Sequence, residues 1–170
     1  RTTSCTNIGT MPELNSDPDI HTVSDATLTQ LQLALREQQV ILDTAGVGIV
    51  FVKNRLVIRC NQRLAQMYGF NEVSDIVGNA NLTLYPDQAV FDALEDGALP
   101  VMTQGLVYKT ELQMARQDGQ LFWAHLTGQL VNPQDIEEGS IWIVDDISEQ
   151  KLAQAQLESV LAEQRLILDN

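Results

Sequence analysis

Leucines recur at helical spacing near both ends of the chain. One stripe, which follows the helix-capping residue type at Ser24, comprises Leu28, Leu31, Leu35 and Leu42, and a second comprises Leu157, Leu161 and Leu168. Such narrow stripes are typical of coiled-coil-like helices or of helices that lie on a sheet. Because seams this short need a partner to be stable, the pattern predicts a homodimer.

Between these helices, apolar and polar residues alternate in five short segments, as they do in β-strands. The segments are residues 49–52, 56–60, 106–116, 121–131 and 140–144. Asp118-Gly119 between the third and fourth segments is a strong hairpin signal, and Lys53-Asn54-Arg55 is a weaker one between the first two. Since regular helical crossovers are missing, we predict an antiparallel sheet and the α+β class.

The segment 121–131 has two distinct faces. Its apolar face is expected to comprise Phe122, Ala124, Leu126, Gly128 and Leu130, and its opposite face Trp123, His125 and Thr127. Because side chains alternate across a strand, the first face should point to the core.

Helical signals fill the gaps between the strands. A short helix is predicted over 61–68, two shorter pieces over 72–77 and 81–85, and a longer helix over 87–104. We expect Gly97 and Pro100 to break or kink that longer helix. Asp146 and Glu149 resemble an acidic capping box and predict the start of the last helix.

These signals divide the chain into an irregular linker (1–23), an amphipathic helix (24–44), a core (45–147) and a C-terminal helix (148–170). Residues 163–170 repeat residues 37–44 with five of eight positions identical. The repeat favours a tandem array in which one helix leaves a domain and leads into the next, and chance similarity of two Gln/Leu-rich helices is the alternative. Because Arg1 is not an initiator, we expect a longer parent polypeptide.

Composition narrows the classes of function. The 170 residues carry 10 Lys and Arg against 23 Asp and Glu, for a net charge of −13, so a nucleic-acid partner and an anionic membrane surface are disfavoured. There is no apolar run of membrane-spanning length and no signal-peptide pattern, so direct membrane insertion is not expected. The two cysteines, Cys5 and Cys60, are expected to be unpaired thiols in a reducing cytoplasm.

Six short motifs, taken together and in order, resemble the PAS family of sensory domains over residues 36–153. They lie at 45–49, 60–70, 77–78, 84–87, 116–123 and 146–151. Asn61 and Ala65 are similar to the family's Asn-x-x-x-Ala helix, and Arg116 begins a segment similar to its Arg-Lys-Asp-Gly hairpin. The resemblance implies a five-stranded antiparallel sheet that encloses a small pocket. It also implies sensing rather than catalysis, with the signal relayed through Asp146, Ile147, Ser148 and Glu149.

The residues expected to line that pocket come from several elements: Trp142, Val144, Phe91, Leu112, Met114, Leu126, Asn81 and Tyr108. Trp142 stands where the family often has glycine. Its indole either fills the cavity or offers a stacking face to a ligand ring. Thr83 and Thr110 are further candidates for polar contacts.

The sequence does not identify a cofactor. Haem is disfavoured because residues 87–104 contain no histidine, while His21 lies in the linker and His125 on the outer strand face. A covalent flavin adduct is disfavoured because the family's cysteine motif is absent and Cys60 lies elsewhere. FAD held without a covalent bond stays open, and no metal-ligand set or nucleophile motif is present.

The sequence is therefore consistent with two functions. The first is a sensor in which a small ligand or redox cue tilts the C-terminal helix. The second is a ligand-free module for dimerisation and relay, with side chains filling the pocket. By family analogy, the first choice of output domain is a diguanylate cyclase or phosphodiesterase and the second choice is a histidine kinase. Further PAS domains of the same chain are expected beside it. Catalysis by residues 1–170 themselves is not expected.

Overall fold

The computed structural model describes residues 19–169, with side chains from residue 25 onward. Four helices and five strands follow one another as α1 (Asp19–Thr44), β1 (Gly48–Lys53), β2 (Leu56–Cys60), α2 (Gln62–Met67), α3 (Gln88–Met102), β3 (Tyr108–Ala115), β4 (Leu121–Leu130), β5 (Ser140–Asp146) and α4 (Ser148–Leu168). Single turns of 3₁₀ helix lie at Val73–Asp75, Asn81–Leu84 and Ile136–Glu138. The chain divides into two compact units between Gln38 and Gln39, and the sheet belongs to the second.

The five strands form one antiparallel sheet in the order β2-β1-β5-β4-β3. This confirms the predicted α+β class and the five-stranded sheet. The turn between β1 and β2 places Asn54 and Arg55 at positive φ (52° and 60°), and a turn of that hand suits the twist of a two-residue hairpin. β1 and β5, the first and last strands of the sheet, are neighbours at its centre.

One face of the sheet and the helices α2 and α3 enclose the core. Residues of β4 alternate as predicted, with Phe122, Ala124, Leu126, Gly128 and Leu130 buried and the intervening residues exposed or half-buried. The core also buries Leu64 and Tyr68 from the α2 region and Phe91 and Leu94 from α3. The face that carries Trp123 and His125 points away from this core.

Asn61 joins three elements around the beginning of the sheet. Its side-chain oxygen accepts hydrogen bonds from the backbone N–H of Leu64 (3.0 Å), which caps α2, and of Ile49 (2.9 Å) in β1. Its amide nitrogen donates to the carbonyls of Leu42 (2.7 Å) and Val47 (3.0 Å). Asn61 is 2% exposed, so this amide is buried with both of its ends hydrogen-bonded.

Three local predictions need correction. Helix α1 begins at Asp19, ahead of the predicted cap at Ser24, and Cys5 lies outside the described residues. Helix α3 runs through Gly97 and Pro100 without interruption. The physical reason is tertiary packing, since Ala98 and Met102 are buried on the same face of the helix.

The third correction concerns the start of α4. Its N-cap is Ile147, whose side chain makes no capping bond, so Asp146 and Glu149 do not form the predicted capping box. Asp146 Oδ1 instead accepts from the backbone N–H of Ser148 (3.0 Å), two residues later. This is an Asx turn that leads into the helix.

Replacing Asn61 by alanine should lower the free energy of unfolding by about 3 kcal/mol. A helix cap contributes about 1 kcal/mol, and buried backbone groups left unpaired cost about 1–3 kcal/mol each. Urea unfolding followed by circular dichroism measures the change. Asp87→Ala is the matched control, because Asp87 caps α3 through a bond from Val90 N (2.9 Å) at an exposed position and should cost only about 1 kcal/mol. Equal losses in the two variants would contradict the special role of Asn61.

Candidate functional site

A cleft of about 290 Å³ lies between α3 and the sheet. Phe91, Leu94 and Ala98 of α3 form one apolar wall, and Val52, Leu130 and Trp142 of the sheet form the other. This volume lies near the lower end of the range for small-molecule sites. The cleft therefore suits a compact and largely apolar molecule.

Charged side chains stand at the mouth of the cleft. Arg55, in the β1–β2 turn, forms an ion pair with Glu95 of α3 at 3.0 Å. The guanidinium also lies 5.7 Å from the centre of the Phe91 ring. Since the Arg55 side chain is 69% exposed, the pair contributes little stability and separates easily.

Trp142 of β5 stands at the inner end of the cleft. Its ring lies over Gly128 of the neighbouring strand so closely that a Cβ on Gly128 would sit 2.4 Å from Trp142 Cζ3. The indole N–H donates a hydrogen bond to Ser140 Oγ at 2.9 Å. Gly128 thus provides the space that the indole occupies.

A second, smaller cavity of about 20 Å³ is lined mainly by core residues. Val52, Asn81, Tyr85 and Trp142 line both this cavity and the cleft, so the two spaces are neighbours. The remaining walls are Val50, Tyr68, Leu84, Met114, Leu126 and Val144. A volume of this size holds about one water molecule.

Two polar atoms at the inner cavity are buried without a partner. Tyr68 Oη and Asn81 Oδ1 make no hydrogen bond to any residue that the structure describes. Burial raises the pKa of Tyr68 well above its ordinary value, so its hydroxyl stays protonated at neutral pH. Burial, with the nearby Glu95 carboxylate, likewise raises the pKa of Tyr85.

The start of α4 is held from inside the domain by Arg116. Its guanidinium donates to Asp146 Oδ2 at 2.9 Å and to the backbone carbonyl of Met67. Its centre lies 4.3 Å from that of the Phe122 ring, which meets the Tyr68 ring edge-on at 5.2 Å. A contiguous set of contacts therefore leads from the inner cavity to the beginning of α4.

The partners of Asp146 favour its ionised form. Burial alone would raise the pKa of Asp146, but the hydrogen bonds from Ser148 and the bond and charge of Arg116 outweigh it and hold the pKa below its ordinary value. The ion pair is mostly shielded from solvent, with the two side chains 25% and 19% exposed.

A second set of contacts fixes α4 from the outer face of the sheet. Lys151 Nζ lies 2.8 Å from Glu111 Oε2 and 5.1 Å from the centre of the Trp123 ring. His125 Nδ1 lies 3.9 Å from the other oxygen of Glu111. The hydrogen bond from Lys151 lowers the pKa of Glu111. Beyond these first turns, no residue of α4 is buried.

The comparisons with known proteins agree on the family. A sequence profile described as "PAS domain" matches residues 45–149. The chain belongs to the PAS family. The PAS assignment agrees with the motifs at Asn61, Arg116 and Asp146.

One curated relative of this PAS domain is a sensor protein. The chain is 28% identical over 121 residues to the sensor protein TdiS of Thauera aromatica. The aligned residues make up 71% of this chain and 22% of TdiS. The chain thus spans about a fifth of that curated relative.

Solved structures share the PAS fold. One of them is the PAS domain of a LuxR-family transcriptional regulator from Burkholderia thailandensis, which was solved in complex with ethanol. It is 27% identical to this chain and superposes with a TM-score of 0.60. The match covers 65% of this chain and 96% of the Burkholderia chain. A PAS domain from Colwellia psychrerythraea is 16% identical with a TM-score of 0.60, over 68% and 98% of the two chains.

The structure distributes the eight predicted pocket residues over three places. Trp142 and Asn81 border both cavities, and Phe91 lines the cleft. Val144, Met114 and Leu126 line the inner cavity. Leu112 and Tyr108 are half-buried against the core but line neither. Of the two threonines, Thr83 is exposed and bonds the carbonyl of Ala80, and Thr110 is half-buried.

Sequence reasoning missed Tyr68, Tyr85, Arg55 and Glu95. Tyr68 and Tyr85 belong to motifs that indicate the fold. The sequence of such a motif does not show whether the hydroxyl of a buried tyrosine has a hydrogen-bond partner. Arg55 and Glu95 are far apart in the sequence, so their pairing depends on the fold.

The predicted relay residues surround the start of α4. Asp146 and Ser148 carry the hydrogen bonds described above, and Ile147 is buried and donates its N–H to the carbonyl of Trp123. Glu149 lies in the first turn of α4, where its charge suits the helix dipole.

The predicted dimer seam is partly accessible in this PAS domain. Leu42 is half-buried, and the other seam leucines are exposed, namely Leu28, Leu31, Leu35, Leu157, Leu161 and Leu168. Other apolar residues of the same helices, among them Ile41 and Ile167, are exposed as well. The described part of the chain contains no helix with the length and apolar character needed to cross a membrane.

Among the described residues, no histidine, the usual axial ligand of haem in globins and peroxidases, lines either cavity. His125 lies on the outer face beside Glu111, and the structure does not describe the side chain of His21. Cys60 has a free thiol whose pKa burial raises to about 11, and it lines neither cavity. Among side chains 25–169, no group of three His, Cys, Asp or Glu is placed to hold a metal ion.

Gly128→Ala should lower the free energy of unfolding by roughly 1–3 kcal/mol, since the new methyl group overlaps the Trp142 ring and overpacked cores lose about this much. Thermal and urea unfolding measure the loss. Gly46→Ala is the control, because nothing lies within 4 Å of a Cβ there. Replacing Trp142 by leucine in the Gly128→Ala background should restore part of the stability, and additive losses in the double variant would contradict the overlap.

Asp146→Asn should reduce the acid sensitivity of the domain. A carboxyl whose pKa is lowered by folding stabilises the protein above its unfolded pKa, and this contribution is lost as the pH falls through the folded pKa. We therefore expect the wild type to lose more stability than the variant below about pH 5 in urea unfolding at a series of pH values. The exposed Asp96→Asn variant supplies the same change of charge, and an identical effect there would contradict the assignment to Asp146.

Proposed function

We propose that this PAS domain is a sensor that binds a small, largely apolar and uncharged molecule in the cleft between α3 and the sheet. The supporting observation is a cleft of about 290 Å³ with two apolar walls, beside an inner cavity whose lining residues Tyr68 and Asn81 each carry a buried, unpaired polar atom. Apolar walls with a few fixed polar groups are the usual composition of small-molecule sites. The ethanol complex of the Burkholderia PAS domain, 27% identical to this chain, supports the proposal.

The size and chemistry of the cleft favour a small ligand over a dinucleotide. FAD is much larger than a compact molecule of this volume, so its isoalloxazine would need Trp142 to move from its seat on Gly128. A stacking role for Trp142 against a small ring remains part of the proposal, since the indole borders both cavities.

Signal relay is proposed to run through the contacts that link the inner cavity to α4. Tyr68 meets Phe122, Phe122 lies under Arg116, and Arg116 pairs with Asp146 at the start of the helix. A ligand that shifts Tyr68 or Trp142 changes the packing beside these groups. It can bias α4 by no more than its difference in affinity for the two helix positions.

The proposed assembly is a homodimer of a longer cytoplasmic signalling protein. The exposed leucines of α1 and α4 form seams that a second copy of each helix would cover. The output domain is proposed by family analogy to be a diguanylate cyclase or phosphodiesterase, with a histidine kinase as second choice. A reducing compartment suits the free thiol of Cys60.

The second candidate function is a ligand-free relay and dimerisation module. It is favoured by the close fit of Trp142 on Gly128 and by the small volume of the inner cavity. In this case the indole itself fills the space that a ligand occupies in other sensors.

Fluorescence of Trp142 distinguishes the two functions. Trp123→Phe leaves Trp142 as the single tryptophan of the chain. We expect toluene, cyclohexanone or cyclohexanol to change the fluorescence emission of Trp142 and to raise the melting temperature of the protein. Native mass spectrometry of the freshly purified protein would reveal a natural ligand that it has retained.

Ala98→Leu should weaken this binding by about 10-fold or more, because it places added volume in the cleft wall, where Ala98 is 1% exposed. Ala93→Leu on the exposed side of α3 is the matched control and should bind as the wild type does. Emission and melting temperature that respond to none of the probes, in a protein of its calculated mass, would favour the ligand-free module.

A further inference from the structure

The unpaired atoms of the inner cavity define a specific chemical requirement. Tyr68 is fully buried, and Tyr68 and Asn81 both line the inner cavity. The Tyr68 hydroxyl and the Asn81 side-chain oxygen are buried without a hydrogen bond to each other or to another described residue. Folded proteins rarely leave such atoms unpaired. The cavity, at about 20 Å³, has room for one oxygen atom and its hydrogen.

The two atoms are complementary to one functional group. A neutral tyrosine hydroxyl can donate a hydrogen bond, and an amide oxygen can only accept one. A hydroxyl group placed between them accepts from Tyr68 and donates to Asn81. A ketone or carboxylate offers no hydrogen to Asn81, and an ammonium group offers no lone pair to Tyr68.

The position of the cavity connects this requirement to the cleft. The four residues that line both spaces include Asn81 itself, so a group attached to a molecule in the cleft would lie beside the cavity. The apolar wall of Phe91, Leu94 and Ala98 would contact the remainder of that molecule. Among side chains 25–169, none that carries a charge lines the inner cavity.

We propose that Tyr68 and Asn81 form a hydroxyl-binding subsite and that the ligand of the cleft is a small neutral alcohol. The inference rests on the proposed sensory function and names its ligand class. In the free protein a water molecule takes the hydroxyl position. The alcohol replaces that water and keeps both hydrogen bonds.

Matched probes of equal shape test the subsite in the Trp123→Phe background. Cyclohexanol should bind about 10-fold or more tightly than cyclohexanone and methylcyclohexane, because each analogue leaves at least one buried polar atom unpaired. Dissociation constants come from titration of the Trp142 fluorescence. Equal affinity for the three probes would overturn the subsite and leave the proposed function standing, whereas no binding of any probe would overturn both.

Variants assign the preference to the two residues. Tyr68→Phe and Asn81→Ala should each remove most of the preference for cyclohexanol, measured in each variant as the ratio of the dissociation constants for methylcyclohexane and cyclohexanol. The controls are Tyr108→Phe, a half-buried tyrosine that lines neither cavity, and Asn79→Ala, an exposed asparagine. A preference that survives in both Tyr68→Phe and Asn81→Ala would overturn the assignment.

The free protein provides a readout that does not depend on a ligand. If water bonds the Tyr68 hydroxyl, Tyr68→Phe lowers the melting temperature more than Tyr108→Phe does. If the hydroxyl is unpaired, its removal raises the melting temperature, and this result would overturn the subsite. Should Tyr68→Phe fail to fold, the affinity ratio in Asn81→Ala gives the same decision through the acceptor.

Discussion

The four hydrogen bonds of the Asn61 side chain fix the arrangement on which the rest of the domain depends. They hold the end of α1, the turn into β1 and the first turn of α2 around one buried amide. Because β1 is a central strand, its position sets the register with β5, in which Val50 faces Trp142. The location of the indole, and so the division of the interior into two cavities, follows from that register.

The interior is governed by a steric exchange between two neighbouring strands. Gly128 on β4 has no side chain, and the ring of Trp142 on β5 occupies the space that a side chain would fill. A larger residue at 128 would push the indole toward α3 and close the cleft, and a smaller residue at 142 would join the two cavities. The same pair of positions thus decides whether the domain has a filled or an open core.

Much of the fold was predictable because it depends on local patterns. The alternation in β4, the Asp118-Gly119 turn and the short helix that follows Asn61 each involve residues close together in sequence, and the structure agrees with these predictions. The continuity of α3 was not predictable, since the packing of Ala98 and Met102 outweighs the helix-breaking tendency of Pro100. The partner of Asp146 was not predictable either, because Arg116 lies 30 residues away in the sequence. The local sequence suggests a capping pattern instead.

The candidate site was predictable in its apolar part and not in its polar part. Periodicity places Phe91, Leu126 and Val144 toward the interior, and they line the cavities. Whether the hydroxyl of Tyr68 has a partner depends on the exact volume left between six or more side chains, which no pattern in the sequence records.

The central pairing of β1 with β5 has a consequence for how such a domain can be gained or lost in evolution. Gly48, where β1 begins, is paired with Val144, near the end of β5, so the polypeptide enters and leaves the sheet side by side. Paired positions in an antiparallel ladder lie about 5 Å apart. The points at which the polypeptide enters and leaves the sheet are therefore separated by less than the length of two extended residues, about 7 Å. Duplication or deletion of the unit would leave the flanking segments almost where they were.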